Sequence, residues 1–268
     1  MPDTLLDLML EAAIAAAVPI MDVYSREIVA THKADGSPVT EADQRAEAVI
    51  LAHLARTRLP VLAEESVAAG RIPELDGRFF VVDPLDGTKE FLKRNGEFTV
   101  NIAAVENGRA TRGVVLAPAT GLVFWGGPDG AVAGRIAVGK IVDPHPIHVT
   151  IGGPIRIVAS RSHGHAALAE LCRTMQVEED VSVGSSLKFC LLAQGDAQLY
   201  PRFTPTMEWD TAAGQAVLEA AGGAVIAIDG DPLRYGHRDR HFLNPFFAAA
   251  ASRPLAEATA AEMRRLLV

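Results

Sequence analysis

The sequence predicts a mixed α+β and α/β protein with two lobes, an N-terminal α+β lobe over residues 1–142 and a C-terminal α/β lobe over residues 143–268. Two patterns support this fold class. In residues 98–125, strand-like segments are separated by short turns, which is typical of an antiparallel meander. After residue 155, predicted strands alternate with predicted helices. A segment rich in Gly and Pro, residues 143–153, lies between the two patterns and is the predicted seam.

The N-terminal lobe is predicted to begin with two helices. Apolar residues recur at helical spacing from Leu5 to Ala16, and Thr40 with Asp43 forms a weak capping box for a helix that ends near Arg58. The polar residues 32–38 between them are typical of a loop. The predicted strands of this lobe cover residues 60–63, 79–82, 98–106, 111–117 and 122–125.

The C-terminal lobe is predicted from alternating elements, which are typical of a layered α/β arrangement. Its predicted strands cover residues 155–159, 181–183, 198–200 and 224–228. Its predicted helices cover residues 163–175, 185–194 and 210–221. Gly222 and Gly223 end the last of these helices.

Composition limits the class of protein. With 268 residues, 49% of them hydrophobic and 22% charged, the chain can fold around a sizeable core. Its net charge of −8 argues against sequence-independent nucleic-acid binding, which needs a basic surface. Cys172 and Cys190 form no C-x-x-C pair, so we expect reduced thiols in a reducing compartment. Acidic residues precede the apolar run 12–21, which is too short to span a bilayer, so we expect a cytoplasmic protein without a transmembrane segment.

The strongest local signal for chemistry is the segment DPLDGT at residues 83–88. A buried strand delivers Asp83 and Asp86 across a turn, and two carboxylates this close repel each other unless a cation lies between them. Oxygen ligands favour a hard cation, Mg²⁺ before Zn²⁺. Gly87 allows a sharp turn, and Thr88 opens a segment whose first amide groups suit phosphate. The alternative is a structural D-G turn with Thr88 as a helix cap.

Further acidic positions each have a structural alternative. Glu64 and Glu65 end a predicted strand, where adjacent side chains point to opposite faces, so at most one of them can join a metal cluster. Asp210 opens a helix and would also serve as its N-cap; residues 212–214 are small enough to let that helix pack closely. Asp43 would orient a water or accept its proton, or simply complement a helix dipole.

Five cations lie near these motifs or in the second half of the chain. Lys89, Lys93 and Arg94 flank the acidic segment, and the last two are most simply explained as a solvated face. Lys188 and Arg202 lie far from it in sequence. A second phosphate on a substrate would need fixed positive charge of this kind.

Three motifs occur in the order E-E, D-P-L-D-G-T and W-D-x-A-A-G, at residues 64–65, 83–88 and 209–214. With them the sequence resembles the inositol monophosphatase superfamily over most of its length. The segments DPLDGTKEFLKRNGEFTVNIA, GSSLKFCLLAQGDAQLYPRF and FLNPFF resemble the bacterial 3'(2'),5'-bisphosphate nucleotidases of that superfamily. Inositol phosphatases typically have Thr and Asn where this chain has Lys89 and Glu90. The resemblance implies a layered α/β/α/β/α sandwich of the sugar-phosphatase type.

The resemblance also implies roles for single residues. Glu64 and Thr88 would orient or deprotonate the attacking water, and Asp43 would support that water. Two or three Mg²⁺ ions would be bound by Glu64, Asp83, Asp86, Asp210 and the backbone carbonyl of Leu85. The substrate would contact Glu64, Leu85, Asp86, Gly87, Thr88, Gly184, Ser185, Ser186, Lys188, Arg202 and Asp210.

The implied reaction is direct hydrolysis of a phosphomonoester, without a phosphoenzyme. The implied substrate is a small phosphorylated nucleotide, adenosine 3'(2'),5'-bisphosphate, which would lose its 3'(2')-phosphate to give AMP. Lithium sensitivity and a role in sulfur metabolism come with the same resemblance. Phe203 stands where inositol phosphatases have the acidic residue that binds inositol, which argues against an inositol ring; the role of Arg161 stays open.

Two other functions stay open. One is another sugar-phosphate phosphatase of the same superfamily, acting on inositol phosphate, fructose bisphosphate or histidinol phosphate. The other is a non-catalytic sensor of a phosphorylated metabolite, although a sensor has no need of a water-activating Glu. The sequence leaves open the oligomeric state and a weak peripheral association with the cytoplasmic side of the inner membrane.

Overall fold

The computed structural model describes residues 3–28, 30–32, 38–159 and 166–267. The helices of this part of the chain are α1 (Thr4–Tyr24), α2 (Glu41–Leu54), α3 (Glu64–Ala68), α4 (Thr88–Leu92), α5 (Ala166–Thr174), α6 (Leu187–Ala193), α7 (Ala212–Ala220) and α8 (Arg253–Leu266). The strands are β1 (Ala30–His32), β2 (Pro38–Thr40), β3 (Val61–Ala63), β4 (Arg78–Asp86), β5 (Thr99–Glu106), β6 (Arg109–Ala117), β7 (Leu122–Gly127), β8 (Gly130–Ala137), β9 (Lys140–Ile147), β10 (Ile155–Ala159), β11 (Val177–Ser182), β12 (Leu199–Arg202), β13 (Ala224–Ala227) and β14 (Phe247–Ala250).

Seven strands form the first sheet, in the order β3-β4-β5-β6-β7-β8-β9. Only β3 and β4 pair in parallel; the other neighbours are antiparallel. The predicted meander is therefore confirmed, and it continues through two further strands. Side chains on both faces of β4 and β5 are buried, because α1 and α2 cover one face and α7 covers the other. This double cover explains why both strands are almost wholly apolar in sequence.

Five strands form the second sheet, in the order β11-β10-β12-β14-β13. The helices α5 and α8 pack together, and α8 lies on β12, β13 and β14. On the side toward the first sheet, α6 contacts β12 and α7 contacts β13. The layers are thus α1 and α2, the first sheet, α6 and α7, the second sheet, and α5 and α8, which confirms the predicted α/β/α/β/α sandwich.

Small residues bring α7 unusually close to the first sheet. A Cβ atom on Gly113 of β6 would lie 2.2 Å from the carbonyl oxygen of Ala213, and one on Gly126 of β7 would lie 2.8 Å from the Cα of Val217. On the other side of the helix, a Cβ on Gly214 would overlap the ring of Phe189. The expected close packing of residues 212–214 is confirmed, and it fixes the position of Asp210, two residues before the helix begins.

The connection between the two sheets, residues 148–154, overlaps the later part of the predicted seam, residues 143–153. Strand β9 continues to Ile147 and β10 begins at Ile155. Two prolines, Pro144 and Pro146, lie within β9 and weaken its signal in the sequence. They are tolerated because β9 is an edge strand, where a missing amide donor breaks no second ladder.

Several elements differ from the predicted ones. No element was expected for residues 130–147 or 247–266, where the structure has β8, β9, β14 and α8. The last helix carries a clear start signal, because the Ser252 side chain caps the amide of Leu255 and Pro254 lies in the first turn. Residues 33–37 of the predicted loop, and Arg161 with residues 163–165 of the predicted helix, lie outside the described residues.

By length and composition alone, α1 could cross a membrane, with a mean hydropathy of 1.8 over its most apolar window. Its apolar side chains Met9, Ala13 and Ile20 are, however, fully buried against α2 and the first sheet. With these side chains buried, α1 is a core helix of the sandwich. Both cysteines are free, as expected.

Candidate active site

The strand β4 delivers two carboxylates to one point. Asp83 pairs with Asn101 and Asp86 pairs with Thr99, so the strand bulges between the two aspartates, at Pro84 and Leu85. An Oδ1 of Asp83 accepts a hydrogen bond from the amide of Leu85 at 2.9 Å. Without the bulge, residues three apart on a strand would point to opposite faces; the extra length lets both carboxylates face the same site.

Asp210 reaches the same site from the other side of the sandwich. It ends a turn of 3₁₀ helix, Glu208–Asp210, and its Oδ2 accepts the amide of Met207 at 2.8 Å. Carboxylate oxygens of Asp83, Asp86 and Asp210 all lie within 4.8 Å of one another. Asp210 therefore belongs to a carboxylate cluster and caps the 3₁₀ turn that carries it. It is not the N-cap of α7, as the structural alternative had it, because Thr211 holds that position.

Glu64 lies at the edge of this cluster. It begins α3, so the expectation that Glu64 and Glu65 leave a strand on opposite faces is wrong; both belong to the first turn of a helix. The buried Glu47 of α2 holds that turn, accepting the amide of Glu65 at 2.8 Å and the hydroxyl of Ser66 at 2.6 Å. The negative charge of Glu64 is felt by both Asp83 and Asp210, whose pKa values it raises.

The carboxylates have strongly perturbed proton affinities. Burial raises the pKa of Asp83 well above its usual value, and the charges of Glu64, Asp86 and Asp210 raise it further. Burial followed by the charges of Asp86 and Glu64 raises the pKa of Asp210 to about 8. Such a cluster is poorly compensated as free carboxylates, and it fits a divalent cation with oxygen ligands, of the kind that Mg²⁺ prefers.

Asp43 and Thr88 meet beside the cluster. One oxygen of Asp43 accepts the amide and the hydroxyl of Thr40, at 2.8 and 2.7 Å, which confirms the predicted capping box. The other oxygen lies 3.3 Å from the hydroxyl of Thr88, which is also 3.3 Å from the carbonyl oxygen of Leu85. The pair can therefore position a water: Asp43 fixes the hydroxyl proton, and the oxygen of Thr88 keeps a lone pair toward the site.

A pocket of about 290 Å³ opens from this cluster. Seven of the predicted site residues line it: Asp86, Gly87, Gly184, Ser185, Lys188, Arg202 and Asp210. Gly87 has a φ of +92°, and a Cβ there would approach the carbonyl oxygen of Glu97 to 3.1 Å, so the turn needs glycine. The lining thus contains two groups of opposite charge: the aspartates, called here the carboxylate end, and Lys188 with Arg202, called the cationic end.

Ser185 and Ser186 have different surroundings. Ser185 lines the pocket with a φ of +49°, and its hydroxyl has no hydrogen-bond partner among the described residues. Backbone strain of this kind occurs preferentially at functional sites. Ser186 instead supports the carboxylate end: its hydroxyl lies 3.0 Å from Oδ2 of Asp86 and 2.8 Å from the carbonyl oxygen of Asp210.

Lys188 is a buried cation in the pocket lining, with 5% of its surface exposed. Its ammonium donates to the carbonyl oxygen of Ser185 at 2.9 Å and lies over the ring of Tyr200, 5.7 Å from the centroid. Burial lowers the pKa of Lys188 to about 8, opposed by the charge of Asp86 and assisted by that of Arg202. An anion beside Lys188 would restore its usual proton affinity.

Lys93 and Arg94 have unlike positions. Lys89 and Lys93 are exposed and line the opening of the pocket. Arg94 turns away: its guanidinium lies over the ring of Tyr24 and donates to the carbonyl oxygen of that residue at 2.6 Å. Both residues are exposed, as the expected solvated face requires. In addition, Lys93 lines the pocket and Arg94 contacts Tyr24.

Two residues of the site were absent from the sequence-based set. The amide of Asn101 donates to the hydroxyl of Ser186 at 2.8 Å and lies 3.5 Å from Oδ2 of Asp86, so it helps to fix that carboxylate. Its signal was available, because Asn101 is polar within the apolar run of β5. Tyr200 lines the cationic end of the pocket, and only its neighbour Arg202 pointed to it.

Phe203 is buried on the other side of β12, in the apolar cluster under α5 and α8 with Ile157 and Leu171. It is 6% exposed and does not contribute to the pocket lining among the described residues. A polar substrate ring in the pocket would therefore have no carboxylate at position 203 to bind it.

Comparisons with known proteins place these features in a family. The model of the inositol monophosphatase family matches residues 1–267. The 3'(2'),5'-bisphosphate nucleotidase CysQ of Escherichia coli (strain K12) is 44% identical over 247 residues, which are 91% of this chain and 98% of that protein. The crystal structure of CysQ from Bacteroides thetaiotaomicron has a TM-score of 0.79 at 36% identity, covering 93% of this chain and 98% of that one. An inositol monophosphatase from Anabaena sp. PCC 7120 has a TM-score of 0.74 at 26% identity, covering 98% and 96%. The chain belongs to the inositol monophosphatase family.

Proposed function

We propose that the protein is a Mg²⁺-dependent phosphomonoester hydrolase that removes the 3'(2')-phosphate of adenosine 3'(2'),5'-bisphosphate and releases AMP and phosphate. The observation that carries the proposal is the pocket itself, which joins a carboxylate cluster to a buried Lys188 and to Arg202. The 44% identity to a protein named as such a nucleotidase, over nearly its whole length, supports the same substrate.

The carboxylate end suits the metal chemistry of phosphate hydrolysis. Asp83, Asp86 and Asp210 would hold the metal, with Glu64 and the carbonyl of Leu85 at the edge of the cluster. When bound, Mg²⁺ supplies positive charge to the phosphoryl oxygens and makes a bound water more acidic. The number of ions, two or three, belongs to the proposal.

Thr88, Asp43 and Glu64 would position and deprotonate the attacking water. The hydroxyl of Thr88 lies 3.3 Å from a carboxylate oxygen of Asp43, which can hold its proton. Glu64, whose charge acts on Asp83 and Asp210, is the candidate acceptor of the water's proton. Attack by this water on the phosphorus atom displaces the ribose oxygen, which leaves as a hydroxyl group, and no covalent enzyme intermediate is required.

The cationic end suits the phosphate that is not hydrolysed. A bisphosphate that places one phosphate at the metals carries a second dianion some distance away. Lys188 and Arg202 line that part of the pocket, and the guanidinium of Arg202 can meet phosphate with two hydrogen bonds. Ser185 also lines the pocket, and its hydroxyl has no partner within the part of the chain that the structure describes.

The proposal includes properties that follow from the family resemblance: inhibition by Li⁺, a role in sulfur metabolism and a cytoplasmic location. Li⁺ is close to Mg²⁺ in size with half the charge, so the carboxylate end would accept it and hold the phosphate product in place. A LiCl titration against NaCl at constant ionic strength tests this point.

The test is a phosphate-release assay over a substrate panel, with Mg²⁺ and with EDTA. The panel contains adenosine 3',5'-bisphosphate, its 5'-phosphosulfate relative, inositol 1,4-bisphosphate, inositol 1-phosphate, fructose 1,6-bisphosphate and histidinol phosphate. We expect the highest kcat/KM on the adenosine bisphosphates, and only with Mg²⁺. A preference for inositol 1-phosphate would assign the chain to an inositol phosphatase, and binding without turnover of any compound would assign it to a sensor.

A further inference from the structure

Glu97 connects two turns that line the pocket. Its Oε2 accepts the amide of Gly184 at 2.9 Å, although the two residues are 87 positions apart in the chain. Its backbone carbonyl oxygen lies against two glycines: a Cβ on Gly184 would approach that oxygen to 2.9 Å, and a Cβ on Gly87 would approach it to 3.1 Å. Glu97 therefore holds the turn that follows β4 and the turn that precedes α6 against each other.

The turn that precedes α6 carries Ser185 and anchors the ammonium of Lys188. Ser185 has a φ of +49°, and its hydroxyl has no hydrogen-bond partner among the described residues. Its carbonyl oxygen accepts the ammonium of Lys188 at 2.9 Å. Its side chain also packs on the other turn, since a Cβ on Gly87 would lie 3.4 Å from the Cβ of Ser185. The hydrogen bond from Gly184 to Glu97 thus fixes the backbone that places both the hydroxyl and the ammonium.

The charge of Glu97 is unfavourable where this residue lies. Glu97 lines a pocket that is proposed to bind two phosphates, and a carboxylate repels both of them. Charge alone therefore gives no reason for a carboxylate in this lining. A carboxylate is, however, a stronger hydrogen-bond acceptor for the half-buried amide of Gly184 than a neutral group would be. Its contribution is thus structural and lies in the turn that it holds.

We propose that Glu97 is a specificity-determining positioning residue: its carboxylate fixes the turn of Gly184 and Ser185, and thereby places the Ser185 hydroxyl and the Lys188 ammonium for the phosphate that is not hydrolysed. This inference rests on the proposed function, because it assigns the cationic end to that phosphate. Glu97 acts through the turn, and its negative charge adds nothing favourable to the binding of the substrate.

The test compares two substitutions of Glu97 in the full-length protein. Glu97→Ala removes the acceptor together with the charge, whereas Glu97→Gln removes the charge and keeps an amide oxygen as acceptor. We expect Glu97→Ala to lower the ratio of kcat/KM for adenosine 3',5'-bisphosphate to that for inositol 1-phosphate by about 2- to 10-fold, the size of one hydrogen bond, mainly through KM. Glu97→Gln should keep the ratio near or above the wild-type value, because the acceptor remains and a repelling charge is gone.

Glu90→Gln is the matched control for the loss of a negative charge. Glu90 lines the same pocket, and its Cγ lies 3.0 Å from where a Cβ on Gly184 would be, but the amide of Gly184 bonds to Glu97. Its substitution should leave the ratio near or above the wild-type value. A fall in Glu90→Gln as large as in Glu97→Ala would show that a lost charge, and not a lost acceptor, lowers the ratio, which would overturn the inference.

Three results from the Glu97 variants would also overturn it: a ratio in Glu97→Ala that is unchanged or raised, a ratio in Glu97→Gln as low as that in Glu97→Ala, or an equal loss on both substrates. Pure charge repulsion predicts the first of these, and a general role in folding predicts the last. Failure of the proposed function is distinguishable from all three, because the wild-type protein would then show no preference for the bisphosphate at the start.

Discussion

The two ends of the pocket carry charges of opposite sign, and different kinds of contact hold them in place. At the carboxylate end, three aspartates with Glu64 nearby are brought together although each raises the energy of the others. At the other end, Lys188 of α6 lies over the ring of Tyr200, and Arg202 of β12 donates to the carbonyl oxygens of Thr204 and Pro205. The charge of each end is uncompensated in the protein alone. A bound metal cation would neutralise the carboxylate end, and a phosphate dianion would neutralise the cationic end.

The ends also differ in how the chain holds them. The carboxylate end depends on a strand bulge, a helix start and a 3₁₀ turn, each satisfied by local backbone hydrogen bonds. The cationic end depends on side chains from α6 and β12 that meet only in the folded sandwich. Substitutions at the first end should therefore affect chemistry on every substrate, whereas those at the second should affect the choice of substrate.

The largest expected effect is at the carboxylate end. Asp83→Asn and Asp210→Asn should each lower kcat by at least about 10²-fold, as the loss of an electrostatic stabiliser does. EDTA should abolish activity of the wild-type protein. Asp129→Asn, a substitution of an exposed aspartate in the turn between β7 and β8, is the control and should turn over normally. Near-normal turnover by Asp83→Asn would contradict the assignment of the metal site.

A smaller and more selective effect is expected at the cationic end. Lys188→Ala should lower the ratio of kcat/KM for adenosine 3',5'-bisphosphate to that for inositol 1-phosphate by about 10- to 150-fold, the range for a hydrogen bond to a charged group. Lys140→Ala, at an exposed lysine of β9, is the control. A loss of equal size on both substrates would mean that Lys188 serves the reacting phosphate, and the difference between the two ends would then disappear.

The smallest effect concerns stability rather than turnover. Asp83 and Asp210 have raised pKa values in the folded protein, that of Asp210 being about 8, so the native state keeps protons that the unfolded chain loses near pH 4. The stability of the metal-free protein should therefore fall as the pH rises from about 4 to about 8. Mg²⁺ requires the deprotonated carboxylates, so its stabilising effect should grow over the same range.

Thermal unfolding at several pH values, in EDTA and in Mg²⁺, measures this dependence. Burial also raises the pKa values of Glu47, Glu208 and Glu219, and these groups add a dependence of the same sign. The comparison with Asp210→Asn isolates the contribution of the site, because that variant should show a weaker decline of Tm in EDTA. An equal decline in both proteins would show that the carboxylate end does not govern it.

The difference between the two ends, local contacts at one and contacts made only in the folded chain at the other, explains how far the site could be predicted from sequence. Asp83, Asp86, Gly87 and Thr88 are adjacent, and their pattern alone indicated a turn with clustered carboxylates. Asn101 acts through Asp86 and Ser186, and its only mark in the sequence is that it is a polar residue within the apolar strand β5. Tyr200 is marked only by its neighbour Arg202. Glu64 was expected at a strand end and lies in a helix instead, because Glu47 of α2 supplies acceptors for that first turn.

The fold shows the same limit. The helices α1 and α2 and the strands β4 to β7 follow from apolar periodicity and turn residues, and the structure has them. Strand β9 contains two prolines and is a strand only because it lies at the edge of a sheet, a fact of tertiary structure. The predicted seam, residues 143–153, includes those same prolines, whereas the connection between the two sheets begins only after Ile147.

The central claim is that one bisphosphate lies across both ends of the pocket, with its 3'-phosphate at the carboxylates. The most direct test is to identify the product formed from adenosine 3',5'-bisphosphate, by phosphorus NMR, in Mg²⁺ and in EDTA. The account predicts adenosine 5'-monophosphate and inorganic phosphate in Mg²⁺ and no reaction in EDTA. Adenosine 3'-monophosphate as the product, or phosphate release that resists EDTA, would contradict it.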